Sequence, residues 1–171
     1  MVQYHFVMWN EVNWNISSHR TMLSLHCKRK QSRWYSIGTI FRNNKTITAF
    51  TEFELFTAVT QTNQRFQGCS NLTKIKLPPL TKLENLVFDG CSKLGTIIIP
   101  VAVTAIGNWC FRGCGELKTI TSLPTTPPTW GTDSFSSVTP DVVYVPSMSV
   151  STYKTASGWS DFASVIQAIP E

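Results

Sequence analysis

One four-residue phrase occurs three times at nearly constant intervals, and no other feature constrains the fold of this chain as strongly. Phe66-Gln67-Gly68-Cys69, Phe88-Asp89-Gly90-Cys91 and Phe111-Arg112-Gly113-Cys114 share the pattern Phe-x-Gly-Cys at intervals of 22 and 23 residues. A random chain of this composition would contain roughly 0.015 such phrases, so three copies at one period indicate an internal repeat. Each copy continues with a leucine and then an isoleucine at steps of three residues: Leu72 and Ile75, Leu94 and Ile97, Leu117 and Ile120.

The centre of each repeat alternates apolar and polar residues, as a half-buried strand does. In the first copy Ile75 and Leu77 face one way, whereas Lys74 and Lys76 face the other. One such strand cannot enclose its own apolar face, so successive repeats must stack around a continuous core. A period of this length is typical of leucine-rich repeats. The sequence therefore predicts a repeat solenoid, a leucine-rich-repeat stack of short parallel strands with an irregular convex side and a small α+β C-terminal cap.

Composition divides the chain into four segments. Residues 1–36 form an unassigned basic, tryptophan-rich leader without a clear period, either disordered or an abnormal start to the chain. Residues 37–65 are apolar and lead into the repeats, so they are predicted to be an N-terminal capping segment. Residues 66–124 contain about three leucine-rich repeats. Residues 125–171 are rich in turn residues, with a strand near 142–145 and a helix beginning after Ser149, and are predicted to be the C-terminal cap.

The repeated cysteines could form disulfides or remain buried free thiols. Cys69, Cys91 and Cys114 are expected to stack on adjacent rungs about 4.7–4.9 Å apart. That spacing is within the range of a disulfide, but three stacked thiols cannot all pair. We therefore expect a ladder of buried thiols that act as small apolar fillers, with Cys110 in a further inward position.

Few residues offer catalytic or metal-binding chemistry. The histidines all lie in the leader, at His5, His19 and His26, and their spacing does not suit a metal ion. No histidine is available to activate a repeat serine or cysteine. The sequence predicts no enzymatic activity, no cofactor, no metal ion and no small-molecule substrate.

Charge and hydropathy restrict the possible partners. Residues 1–65 contain eight Lys or Arg against three Asp or Glu, whereas residues 66–171 contain seven of each. The basic balance thus belongs to the first third of the chain and gives no reason to expect nucleic acid along the repeats. No run of 18 apolar residues predicts a membrane-spanning helix. No signal peptide is visible in the chain.

Function is expected at the exposed positions of the stacked strands, because these align across the repeats into one surface. Ile98 is unusual among these exposed positions, because an isoleucine that points outward contributes nothing to the core. The alternative is an ordinary solvated sheet. The candidate ligand-binding positions are Lys74, Lys76, Thr96, Ile98, Thr119 and Thr121.

A basic cluster in the leader gives a second hypothesis. Lys28, Arg29, Lys30 and Arg33 lie within six residues, and such a cluster favours binding to an anionic surface or to the phosphates of a nucleic acid. Without interleaved aromatic residues it also fits a solvated loop. A third hypothesis is a purely structural fragment of a longer repeat array.

The repeat resembles that of a known family. The phrase Phe-x-Gly-Cys-x-x-Leu-x-x-Ile-x-Leu-Pro is similar to the repeat of BspA-like bacterial leucine-rich-repeat surface proteins. The ending from Tyr144-Val145-Pro146 to Gly158-Trp159-Ser160-Asp161 and the entry from Ile37 to Phe56 also resemble that family, which leaves residues 1–36 unmatched. The resemblance implies an extracellular or cell-surface binding or adhesion protein without enzymatic activity. Its expected partner is a protein or glycan ligand on host or neighbouring cells.

Overall fold

A computed structural model describes residues 41–55 and 65–171. The strands are short, as the alternating segments predict, and a helical segment follows the last repeats. The β-strands of the described residues are β1 (Ala49–Phe50), β2 (Lys74–Ile75), β3 (Lys82–Leu83), β4 (Thr96–Ile99), β5 (Ala105–Ile106), β6 (Thr119–Ser122), β7 (Thr129–Trp130), β8 (Val142–Val145) and β9 (Ile166–Ala168). An α-helix spans Val150–Thr155, and 3₁₀ turns span Thr51–Leu55, Ser147–Ser149 and Trp159–Phe162.

The strands pair in parallel, one from each repeat with the next. The long sheet has the order β4-β6-β8-β9, β1 pairs with β2, and a second sheet on another side of the coil has the order β3-β5-β7. A hydrogen bond of 3.2 Å from the amide of Gly95 to the carbonyl of Thr73 connects β2 to the start of β4. Because an apolar face recurs in register, Ile97, Ile120, Val143 and Ile166 lie side by side and are buried. The predicted leucine-rich-repeat solenoid is confirmed.

A column of phenylalanine rings runs through the stack. Phe66, Phe88 and Phe111 of the repeated phrase stack with centroid distances of 5.6 and 5.3 Å and nearly parallel planes. The column continues to Phe41 at one end, at 5.3 Å, and to Phe135 at the other, at 4.9 Å. The repeat therefore extends one step beyond the phrase in both directions.

The outer two steps lack the glycine but keep its backbone conformation. Gly68, Gly90 and Gly113 have φ of 73, 72 and 73°, as the turn before the cysteine predicts. The equivalent residues after Phe41 and Phe135 are Asn43, with φ of 59°, and Ser137, with φ of 68°. A left-handed turn is thus a property of the rung, and asparagine is among the residues that tolerate it best.

The repeated cysteines are free and buried. Besides filling space in the core, their thiols act as hydrogen-bond donors. Each thiol donates a hydrogen bond to the carbonyl oxygen of the phenylalanine in the preceding repeat. The Sγ to O distances are 2.9 Å for Cys69 to Phe41, 3.0 Å for Cys91 to Phe66 and 3.2 Å for Cys114 to Phe88. Each of these carbonyl oxygens also accepts the backbone amide three residues along the chain, so the thiol supplies a second donor to the same oxygen.

The long sheet continues past Pro124 into the segment predicted as the cap, through β8 and β9. Ser149 precedes the α-helix as expected, although its side chain makes no capping hydrogen bond, and the helix ends at Thr155. Two buried aromatic residues fix this segment to the last turn of the coil. The Tyr153 hydroxyl donates to the carbonyl of Pro124 at 2.8 Å, and the Trp159 indole donates to that of Pro128 at 2.8 Å.

The remaining predictions about segments stay predictions. The leader, with the basic cluster and Cys27, lies outside the described residues, as do residues 37–40 and 56–64 of the predicted N-terminal capping segment. Arg65, which takes the position of Cys110 in the first repeat, is buried, and burial lowers the pKa of its guanidinium.

Candidate functional site

The outward side chains of the long sheet and β2 form one continuous surface, which we call the outer face. Parallel register aligns Thr96 with Thr119 and Val142, and it aligns Ile98 with Thr121, Tyr144 and Gln167. The repeat places Lys74 and Lys76 at the equivalent positions of the neighbouring rung. The outer face is therefore defined by Lys74, Lys76, Thr96, Ile98, Thr119, Thr121, Val142, Tyr144 and Gln167.

Exposure differs along the outer face. Lys74, Lys76 and Thr96 are exposed, whereas Thr119 and Thr121 are half-buried. Ile98 is 50% exposed, although Ile97 and Ile99 on either side are only 1% and 0% exposed. The structure thus places all six candidate positions on one surface, with an exposed apolar side chain on the strand next to the lysines.

Charge on the outer face is confined to one end. Its two charged side chains are the lysines of the β2 rung, and no outward position defined above is acidic. Lys76 Nζ lies 3.2 Å from Glu54 Oε1, with both side chains nearly half exposed, so the pair contributes little to stability. The face consequently passes from positive at β2 to neutral and partly apolar from β4 onwards.

Three members of the outer face were missed by the sequence reasoning: Val142, Tyr144 and Gln167. Val142 and Tyr144 are half-buried and directly continue the rows of Thr119 and Thr121. The signal was present, because Tyr144-Val145-Pro146 matches Ile98-Ile99-Pro100 in the repeat. The strand was predicted, but it was assigned to the cap and not to the face.

A second polar row lies at the variable position of Phe-x-Gly-Cys. The Gln67 amide donates to Asp89 Oδ2 at 3.0 Å, and Arg112 donates to both oxygens of Asp89 at 2.8 and 3.0 Å. Burial of the carboxyl acts to raise its pKa, but the hydrogen bonds from Arg112 and Gln67 outweigh it and lower the pKa of Asp89. Arg112 also lies 5.6 Å from the ring centre of Trp109. Since each partner belongs to a different rung, the row holds the rungs together.

The buried thiols are poorly suited to nucleophilic chemistry. Desolvation raises the pKa of Cys69 to about 11 and also raises the pKa of Cys91, Cys110 and Cys114. A thiol must lose its proton to attack or to bind a metal. Across residues 41–55 and 65–171, no group of three His, Cys, Asp or Glu side chains is placed to hold a metal ion.

Two further observations concern the rest of the molecule. In the part of the chain that the structure describes, no helix has the length and apolar character needed to cross a bilayer. The basic cluster of Lys28, Arg29, Lys30 and Arg33 lies outside that part, so its role as an anionic contact stays a prediction.

Comparison with known proteins identifies the repeat. The sequence model of a family described as the BspA type leucine rich repeat region matches residues 39–156 in six copies. The match begins before Phe41 and ends beyond Phe135, and so includes both outer steps of the phenylalanine column. A search of curated proteins finds no match.

Proposed function

Because the chain belongs to the BspA-type leucine-rich-repeat family, we propose that it is a non-enzymatic binding or adhesion module that acts through its outer face. Repeats of this type are protein-interaction modules, and the family is typically surface-associated and non-enzymatic. A more specific proposal concerns where the protein works and which ligand it binds. The module works at the cell surface or after secretion, and its ligand is a protein or glycan on host or neighbouring cells.

The observation that carries this proposal is the exposure of Ile98 on an aligned surface, on the strand next to the two lysines. Strand alternation buries every second side chain, so an outward position has no packing need for an isoleucine. A half-exposed isoleucine beside Thr121, with Tyr144 one strand further along the same row, suits a contact surface, where apolar and aromatic side chains contribute most. The lysines at the β2 end suit the polar rim of a binding interface and favour a partner whose facing surface is negatively charged.

The experiment is a comparison of two triple variants of the full chain. Lys74→Ala, Lys76→Ala and Ile98→Ala together remove the lysine end of the outer face and the exposed isoleucine beside it. Lys93→Ala, Lys154→Ala and Thr129→Ala change exposed positions elsewhere and serve as the matched control. We expect the first variant to lose binding to host matrix or cell surfaces and the control to retain it. Unchanged binding by the first variant, with an unchanged melting temperature, would reject the proposal.

A further inference from the structure

The turn of one rung contains a pair of residues whose peptide bond can rearrange. Asp89 is followed directly by Gly90, and no other glycine of the chain follows an aspartate or an asparagine. In such a pair the glycine amide nitrogen can attack the aspartate side chain, because glycine has no side chain that obstructs the approach. Asp89–Gly90 is therefore the position where the main chain of this protein is chemically most open to rearrangement.

The rearrangement needs no cofactor and no oxidant. The Gly90 nitrogen forms a bond to Cγ of the protonated Asp89 carboxyl, and the carboxyl hydroxyl leaves with the amide hydrogen as one water molecule. The product is a five-membered succinimide that contains the Cγ and the main-chain carbonyl carbon of Asp89. Water then opens the ring at either carbon. Opening at the main-chain carbon leaves an isoaspartyl linkage, in which the chain continues through Cγ.

In the folded protein, side chains of the neighbouring rungs hold the Asp89 carboxylate. Arg112 donates to both of its oxygens at 2.8 and 3.0 Å, and the Gln67 amide donates to Oδ2 at 3.0 Å. The Asp89 side chain is only 13% exposed. These donors stabilise the ionised carboxylate, which has no hydroxyl to release, and they restrict the rotation that brings Cγ to the next amide.

The Gly90 amide is held by the same neighbouring rung. It donates to the main-chain carbonyl of Arg112 at 2.8 Å. The amide must leave this hydrogen bond before its nitrogen can attack Cγ. Arg112 thus holds both reacting groups, the carboxylate through its guanidinium and the amide through its carbonyl oxygen.

An isoaspartyl linkage would disturb the stack at this rung. It inserts one more carbon into the main chain between the Cα of Asp89 and the nitrogen of Gly90, and it turns the main-chain carbonyl of Asp89 into a free carboxylate. In the native chain that carbonyl accepts the amide of Gly68 at 2.7 Å, while Gly90 donates to Arg112. These two hydrogen bonds join the rung to its neighbours on either side, and both depend on the ordinary length of the main chain.

From this geometry we infer that Asp89–Gly90 is a site of isoaspartate formation that the stacked rungs protect, with Arg112 as the residue that positions Asp89 against the reaction. The reaction takes place when these rungs open, so protein that has lost its native stack becomes covalently marked. The inference is independent of the proposed function, because it concerns the turns of the rungs and not the outer face.

The test incubates the full chain at neutral pH with and without urea. After digestion, chromatography with mass spectrometry separates the isoaspartyl peptide from the aspartyl peptide of equal mass and detects the succinimide as a peptide lighter by one water. Arg112→Ala removes the guanidinium, and Arg112→Lys keeps a cation. Arg42→Ala removes an exposed arginine at the equivalent position of the first rung. Phe162→Ala, which removes ring contacts in the C-terminal cap, gives a less stable protein with the polar row intact.

We expect slow isoaspartate formation in the folded wild type and much faster formation in urea, where wild type and all variants react at one rate. Without urea, Arg112→Ala should react about fivefold faster than wild type, as the loss of a partly exposed ion pair allows. Arg112→Lys should lie between them, and Arg42→Ala should match wild type.

Three results would overturn the inference. The first is a wild-type rate that is the same with and without urea, or no isoaspartate even in urea, and this comparison does not depend on any variant folding. The second is an Arg112→Ala rate equal to that of the wild type. The third is equal acceleration by Phe162→Ala at an equal loss in the free energy of unfolding, because global unfolding would then explain the rate.

Discussion

The thiol of Cys91 donates a hydrogen bond to the carbonyl oxygen of Phe66, one rung earlier, at 3.0 Å. The same contact joins Cys114 to Phe88 and Cys69 to Phe41. The carbonyl oxygen also accepts a backbone amide, so the thiol adds a second hydrogen bond that alanine or valine in similar space would lack. In the described residues the first and last steps have Asn44 and Val138 at this position, so the thiol contact belongs to the three steps between them.

Replacing Cys91 by alanine should destabilise the protein more than replacing it by serine. Alanine removes both the donor and buried volume, for an expected loss of about 1–3 kcal/mol in the free energy of unfolding. Serine keeps a donor in the same place. Urea unfolding measures both losses, with Lys93→Ala as the exposed control. An alanine variant as stable as the wild type would show that the thiol–carbonyl bond contributes nothing.

Leu94 tests the assignment of the central rung. Its side chain is fully buried, so Leu94→Ala should cost about 2–5 kcal/mol through lost burial and a residual cavity. Ile98→Ala, four residues away and half exposed, should cost much less. Thermal melts of the two variants give the comparison. Similar melting temperatures would contradict the alternation of buried and exposed residues along β4.

The thiols should resist modification while the protein is folded. Burial raises the pKa of all four described cysteines, so little thiolate is present at pH 8. In a Cys27→Ser background, which removes the cysteine outside the described residues, a thiol-specific reagent should react only after urea is added. Absorbance of the released chromophore measures the reaction. Fast reaction of any thiol without urea would mean that the rungs open readily.

Asp89 should make stability depend on pH in the acidic range. Its pKa is lower in the folded protein than in an unfolded chain, so the carboxylate stabilises the fold above its unfolded pKa, and that contribution is lost as the pH falls through the folded value. Asp89→Asn should therefore be less stable than wild type at pH 7, with the difference disappearing in strong acid. Denaturant unfolding across this range, with Asp141→Asn as control, measures it. A pH-independent difference would exclude the carboxylate as the cause.

The sequence predicted the rungs wherever the full phrase is present and failed where its residues are degenerate. Asn43 and Ser137 adopt the left-handed conformation of the repeated glycines, but neither residue signals it in the sequence. The steps of Phe41 and Phe135 were therefore interpreted as caps. The outward positions on β2, β4 and β6 followed from strand alternation, whereas Tyr144 was missed because its strand was read apart from the repeat.

Other features were beyond the sequence for physical reasons. The periodicity of apolar residues predicts that the repeated cysteines are buried. It does not predict that their thiols donate hydrogen bonds, because this depends on where the carbonyl of the preceding rung lies. The basic cluster from Lys28 to Arg33 remains a sequence prediction.

The most direct test of the account is a lysine footprint of the full chain bound to host matrix or cells. Amine acetylation followed by mass spectrometry reports which lysines the ligand covers. The account predicts protection of Lys74 and Lys76 on binding, with Lys82 and Lys154 acetylated as in the free protein. Unchanged acetylation of Lys74 and Lys76, with protection instead at Lys28 and Lys30 or on the second sheet at Lys82, would contradict it.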